Sequence, residues 1–356
     1  MWSFVLAETD GTELGEITSA RSRQLTRRLD RADEATVSLS GRSDVGEMVG
    51  EGLDQDLVVY RDGERVFRGR IDAPDDSMRD DHEVTLRARS YRDLLALRHL
   101  EASASWTTVE QEAIAWSLID TAQGLSGGDL GVTRGADQAT GVTRSRQYEI
   151  GAQVQAKIDD LAKADDGFDW DIDSDLVFRV WYPARGDTKQ RVLHYAAHGG
   201  NVRRLSRTPD LARFATVVIA TASGALSPEI AVSSDVATRG RWSHVEGVSD
   251  ADSATTLQEA AAGLLGDRET LRAAWTAELS RAHPWGGPDD FDVGDSLRLV
   301  VQSGRFDTER VLRVQTIGVS IDASDVETTT VDLDRPSPDL ARALRRHDDR
   351  LSDLER

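Results

Sequence analysis

The sequence has no cysteine, which excludes disulfides and thiolate metal sites. A chain without thiols works in either redox environment, so this absence does not fix a compartment. Lysine is nearly missing too. Lys157, Lys163 and Lys189 are the only three, and arginine supplies the remaining positive charge. No apolar run approaches the length needed to cross a bilayer. The N-terminus, MWSFVLAETDGTELG, lacks a basic segment and reaches acidic residues by Glu8, so it does not read as a signal peptide. A soluble protein made in the cytosol is expected. Sixty-three acidic residues against 43 basic ones leave a formal charge of −20. That balance argues against gripping nucleic acid by its phosphates and against an anionic membrane as partner.

What is present is mostly strand pattern over 356 residues, enough for two or three domains. ATVSLS (35–40) and EVTLRAR (83–89) alternate apolar and polar residues. DLVVYRDGERVFRGRID (56–72) reads as two strands joined by Asp62-Gly63, a pair suited to a tight hairpin because both turn positions want positive φ. Tyr91, Leu94, Leu95 and Leu97 add a short helical spacing. Together these predict a small β-barrel or sandwich over 1–103.

A middle α/β domain is expected over 104–198. Its first helix is read over 104–124, capped by Ser105 or Thr107, with Val109, Ile114, Trp116, Leu118 and Ile119 as its apolar face. A glycine-rich loop (124–141) follows, then a second helix near 152–164 through Val154, Ile158 and Leu161. GFDWDIDSDLVFRVWYP (167–183) predicts a hairpin with its turn at Ser174-Asp175.

From 199 to 335 strands dominate again. FATVVIATA (214–222) pairs with 229–232, and a helix is expected over 255–265. Residues 269–280 fit helix or strand, and the parity of Leu271, Ala273, Trp275, Ala277 and Leu279 favours strand. DSLRLVVQ (295–302), RVLRVQTIGVSI (310–321) and VETTTVDLD (326–334) are three further strands. Ser337-Pro338-Asp339 starts a C-terminal helix over 336–356. Leu340, Leu344, His347, Leu351 and Leu354 then follow an a/d spacing, a short coiled-coil seam. ERVFRGRI (64–71) echoes ERVLRVQTI (309–317), which suggests two similar barrels.

Three signals invite chemistry. Gly124-Leu125-Ser126-Gly127-Gly128 fits G-x-S-x-G, but a nucleophile elbow needs a strand before the serine and a helix after it. Here a helix precedes Ser126 and a loop follows. His194 and His198 have helical zinc spacing, yet no third ligand stands out; His82, His99, His244, His283 and His347 are scattered. Asp169, Asp171, Asp173 and Asp175 alternate with Phe168, Trp170 and Ile172. A calcium loop would need glycine where Ser174 stands and glutamate where Val180 stands. Same-face neighbours on a strand lie about 6.5–7 Å apart, too far to share an ion unaided. The aspartates are therefore expected on a wet strand face, with Phe168, Trp170 and Ile172 in a core. Carboxylates are so abundant that a pair of them carries no glycosidase signal, and no P-loop or dinucleotide fingerprint appears. No catalytic residue, metal ligand or cofactor is assigned.

The order of these pieces resembles the baseplate hub or tail-tip proteins of tailed phages, the minor tail proteins related to contractile injection-system hubs. The run DLVVYRDGERVFRGRID followed by HEVTLRARSYRDLLALR is similar to that family's first domain. The two helices with the GFDWDID–LVFRVWYP hairpin are similar to its second. DVGDSLRLVV, RVLRVQTIGVSI and VETTTVDLD are similar to its last barrel. The resemblance implies a homotrimer in which two barrels per subunit form a ring that mimics a six-fold tail tube. Leu340, Leu344, Leu351 and Leu354 would gather three helices on the axis. It implies a tail-tube or distal tail protein above, a tip or fibre protein below, and DNA passing without specific binding; the acidity would suit such a channel or only keep a large assembly protein soluble. It also implies a place at the virion tail tip after assembly in the host cytoplasm, without stable membrane insertion. Some family members carry a C-terminal peptidase or lysozyme-like domain; this chain ends at Arg356, so no enzymatic role is carried over. Two rivals remain open. A tail-tip hydrolase of the cell envelope would use Ser126 or the aspartates. A carbohydrate-binding module would expose several of Trp106, Trp116, Trp170, Trp181, Trp242, Trp275 and Trp285 along one groove.

Overall fold

The computed structural model describes residues 1–334 except 52–53, 73, 79–81, 137, 165, 197–198, 210, 212–213, 223–226, 249–253, 270–272, 282–284 and 286–289. The C-terminal helix, its seam of Leu340, Leu344, Leu351 and Leu354, and His198 lie outside the described residues. The chain divides into two compact units, 1–205 with 277–356, and 206–276. It is mainly β.

The first unit is built on one large sheet. From one edge its strands run Gly199–Gly200, Thr188–Ala196, Ser296–Ser303, Phe306–Asp322, Ser22–Arg28, Glu34–Ser40, Glu83–Ser90, Glu64–Ile71, Gln55–Arg61, Trp2–Glu8 and Glu13–Glu16. The path is open at both ends among the described residues. Phe306–Asp322 is the long member, and it fuses the two β segments of the sequence. Its first half pairs with Ser296–Ser303, and its second half with Ser22–Arg28 on one side and Glu327–Asp334 on the other. The Asp62-Gly63 turn forms as the sequence predicts, with φ of 52° and 87°, and Val59 pairs Phe67 across it. Asp56, fully buried, anchors that hairpin. It accepts from Arg68 Nε at 2.8 Å, Arg70 Nε at 3.0 Å and the Tyr91 hydroxyl at 2.8 Å.

A second core in the same unit joins Tyr91, Leu95, Ile114, Leu118, Ile158, Leu161, Phe168, Trp170 and Phe178. The helices are Gln111–Gln123 and Val154–Ala162. The first starts seven residues later than its periodicity suggests. Ala104–Glu110 is instead a strand paired antiparallel with Thr143–Tyr148. Thr107 and Val109 are β-branched and suit that extended state, while Thr108 turns to a φ of 53° where the pairing shifts register, so Ser105 and Thr107 do not cap. Glu110 does, accepting from Ala113 N at 3.0 Å.

The 206–276 unit is a three-stranded sheet, Glu229–Val232, Val217–Thr221 and Ser243–Gly247. Helix Ala254–Arg268 packs Leu257, Ala261 and Leu265 against Ala215, Val218 and Ala220. The ambiguous segment resolves as strand Ala273–Leu279.

Candidate functional site

Strand Asp169–Ile172 pairs with Val177–Trp181, Trp170 opposite Val180 and Asp171 opposite Arg179. Asp173 builds the turn: its Oδ1 accepts from Asp175 N and Val177 N, both at 2.9 Å. Phe168, Trp170 and Ile172 are buried, as their parity predicts. Arg92 lies 4.1 Å over the Trp170 ring and donates to the Trp170 carbonyl at 2.7 Å. The indole Nε1 donates to Asp159 at 3.0 Å.

The aspartate face is not wet. Asp171 is 5% exposed, so this strand is covered on both faces, and the solvent expectation is overturned there. The cover is an ion network drawn from segments remote in sequence. Asp171 Oδ2 lies 3.2 Å from Arg185 Nη1. Arg185 Nη2 lies 2.9 Å from Asp292 Oδ2, and Asp292 Oδ1 lies 2.7 Å from Arg27 Nη1. Arg27 Nε in turn lies 3.5 Å from Asp33 Oδ2. Asp169 is likewise engaged, accepting from Arg185 N at 2.7 Å and pairing with Arg313. Arg313 also donates to the carbonyls of Gly294 and Arg185 at 3.0 and 2.8 Å. Only Asp175, paired with Arg65 and 63% exposed, sits where the expectation put it.

Local backbone brings these groups together. Arg27 is in the strand Ser22–Arg28, and Asp33 lies just past the turn that follows. There Asp33 Oδ1 accepts from Arg28 N at 2.7 Å. Asp292-Val293-Gly294-Asp295 forms a tight loop in which Asp295 Oδ2 accepts from Asp292 N at 2.7 Å and Oδ1 from Asp187 N at 2.8 Å. Gly186 and Gly294 meet backbone to backbone, both at positive φ (92° and 94°), and a Cβ on Gly186 would sit 2.3 Å from the Gly294 carbonyl carbon.

Burial and charge set the proton affinities. Burial, then the Asp171 charge, push the Asp33 carboxyl up to about 6, against the pull of Arg27 and the Arg28 amide. Burial also raises Asp171, opposed by Arg185, Arg92 and Arg27. Asp292 moves the other way: burial works against it, yet Arg27 and Arg185 hold it below the usual carboxylate range. Arg27, opposed by burial, is held above its ordinary value by Asp292, Asp33 and Asp171.

The network lines a cleft of about 230 Å³ together with Arg65, Phe67, Trp181 and Trp285. Asp169, Asp171 and Asp173 point to three different arginines rather than to one ion. Among the described residues no three His, Asp or Glu side chains are grouped to hold a metal. His194 lies on the strand Thr188–Ala196, not on a helix. Ser126 follows the end of helix Gln111–Gln123 in a turn, so no strand leads into it. Of the tryptophans, Trp242 is the one exposed large ring; Trp170, Trp275 and Trp285 are buried, and the rest are partly covered. Arg27, Asp33, Arg185, Asp292 and Arg313 escaped sequence reasoning. The DVGD loop was the one local signal pointing at them.

No family model matches the sequence, and no curated protein matches it. Solved structures do match. The tail protein from Neisseria meningitidis MC58 superposes with a TM-score of 0.64 at 16% identity, over 94% of this chain and 96% of that one. The 43 kDa tail protein of prophage MuSo2 from Shewanella oneidensis gives 0.68 at 12% identity, over 94% and 99%. Prophage tail protein gp18 from Listeria monocytogenes EGD-e gives 0.57 at 10%, over 98% and 99%. At these identities the likeness is one of fold. The fold is that of phage tail proteins, in line with the hub resemblance of the strand order.

Proposed function

We propose that this protein is a structural component of a phage-type tail, a tail-tip or baseplate hub without enzymatic activity. The observation that carries the reading is the match to tail proteins over at least 94% of this chain and 96% of each partner. The ion network supports it, because its carboxylates are committed to arginines from three chain segments, which makes a joint rather than a reactive centre. In the finer reading, three copies form a ring to which 1–103 and 199–335, joined where the strand Phe306–Asp322 pairs with Ser22–Arg28, supply the tube-like elements. The middle segment 104–198 braces them. Leu340, Leu344, Leu351 and Leu354 add a seam on the axis, too short to hold three helices together unaided. The ring would receive the tail tube or a distal tail protein on one side and a tip or fibre protein on the other, at the virion tail tip. The charge of −20 suits a channel that lets DNA pass without binding it.

The mass of the purified protein, or of its ring within the particle, tests this. A stable trimer with an open centre supports the hub. A monomer that degrades envelope polymer overturns it in favour of the hydrolase reading.

A further inference from the structure

The joint under the aspartate strand has one carboxylate too many. Its charges alternate along a chain, Asp33, Arg27, Asp292, Arg185, Asp171, with successive separations of 3.5, 2.7, 2.9 and 3.2 Å. Three acids face two guanidiniums, and both ends are acids that are 7% and 5% exposed. With every group ionised, one negative charge stays uncompensated out of water, a costly state.

Arg92 also faces Asp171, and Arg61, Arg65, Arg68 and Arg179 line the same cleft. Each of these cations brings an acid of its own, so the excess of one carboxylate stands. Arg61 pairs with Glu327, Arg65 with Asp175, Arg68 with Asp56 and Arg179 with Asp173. Arg92 is committed to the Trp170 carbonyl and to Asp159 at 3.2 Å. Arg313 pairs with Asp169, beside which Asp30 adds a further acid. Lys189 lies 3.6 Å from Asp295. Against Asp33 itself stand the Arg28 amide, Arg27, and Ser90, whose hydroxyl accepts from Asp33 N at 3.1 Å.

We propose that Asp33 and Asp171 hold one proton between them in the closed joint, and that releasing it to solvent loosens the hairpin 169–181 from the strand Ser22–Arg28. The two carboxylates raise each other's proton affinity, as like charges in a shared site do. The joint is then a latch, tight in mild acid and slacker at neutral pH, and this does not depend on the tail reading.

Hydrogen exchange of the full-length protein tests it, followed in peptides covering 169–181 and corrected for the intrinsic pH dependence of exchange. Between about pH 5 and 7.5, protection in the wild type should fall by about tenfold, the change that one unit of linked proton affinity gives. Asp33→Asn and Asp171→Asn, which carry the neutral form permanently, should each keep high protection at both pH values. Wild-type protection that does not change with pH overturns the latch. So does an Asn variant that keeps the full wild-type drop. If Asp33→Asn does not fold, the wild type and Asp171→Asn decide between these outcomes.

Discussion

Asp171 Oδ2 lies 3.2 Å from Arg185 Nη1, and both side chains are nearly out of solvent. Arg185 holds Asp292 with its other nitrogen. One guanidinium thus ties the hairpin that carries Asp171 to the DVGD loop that opens the strand Ser296–Ser303. Arg27 ties that loop onward to the strand Ser22–Arg28. Three segments far apart in sequence meet at two arginines.

The four alternating aspartates should therefore be energetically unequal. Asp171→Ala leaves Arg185 half-paired in a buried site and should cost about 2–4 kcal/mol. Asp175→Ala breaks an exposed pair with Arg65 and should cost under about 1 kcal/mol. Urea unfolding midpoints of the two variants measure the difference. Equal losses would mean the aspartate face is uniformly solvated after all.

Trp170 is a member of the core built on the two helices and the hairpin. Its ring is buried, Arg92 stacks on it at 4.1 Å, and its Nε1 bonds Asp159. Trp170→Ala should cost about 3–5 kcal/mol, the range for removing a buried aromatic. Trp170→Phe keeps much of the volume but forfeits the indole hydrogen bond, which adds about 1 kcal/mol to the loss of ring area. Unfolding curves that place the two variants together would show that ring volume is not what matters there.

Much of the strand order was legible because it rests on local rules. The Asp62-Gly63 hairpin, the Ser174-Asp175 turn and the parity of Trp170 and Ile172 follow from turn chemistry and period two. The start of helix Gln111–Gln123 was not legible, since Ala104–Glu110 becomes a strand by pairing with Thr143–Tyr148, a partner reached only through the fold. The same holds for the joint. Whether Asp171 faces water depends on Arg27, Arg185 and Asp292, and nothing local to GFDWDIDSD names them. A strand with one apolar face leaves its other face undecided until its neighbours in space are known.

Two glycines at positive φ offer a matched test of the joint's backbone. Gly63 has φ of 87° and open space around a built Cβ. Gly63→Ala should cost only the left-handed penalty, about 1–2 kcal/mol. Gly186→Ala adds a collision at 2.3 Å with the Gly294 carbonyl carbon, and neither backbone can yield without moving the DVGD loop. Its cost should exceed about 3 kcal/mol, in the range kept for named structural faults. Thermal unfolding of the two variants distinguishes them, and similar melting temperatures would deny the close approach.

Acidity should act on global stability from both sides. Asp33 has a folded value of about 6, above its unfolded one, so the folded joint binds the proton more tightly. Its contribution is fully present below about pH 4 and is lost as pH rises through about 6. Asp292 is held below the usual carboxylate range, so its contribution is present above about pH 4 and lost as pH falls further. The unfolding midpoint should therefore be highest near pH 5, lower at about 3.5 and lower again at about 7.5. Repulsion among the 63 acidic residues also weakens the fold as pH rises, so the wild type alone does not isolate the joint. The diagnostic is the comparison with Asp33→Asn, whose midpoint should fall less between pH 5 and 7.5 than that of the wild type. Parallel curves would mean that the whole-molecule charge, and not the odd carboxylate of the joint, governs the alkaline limb.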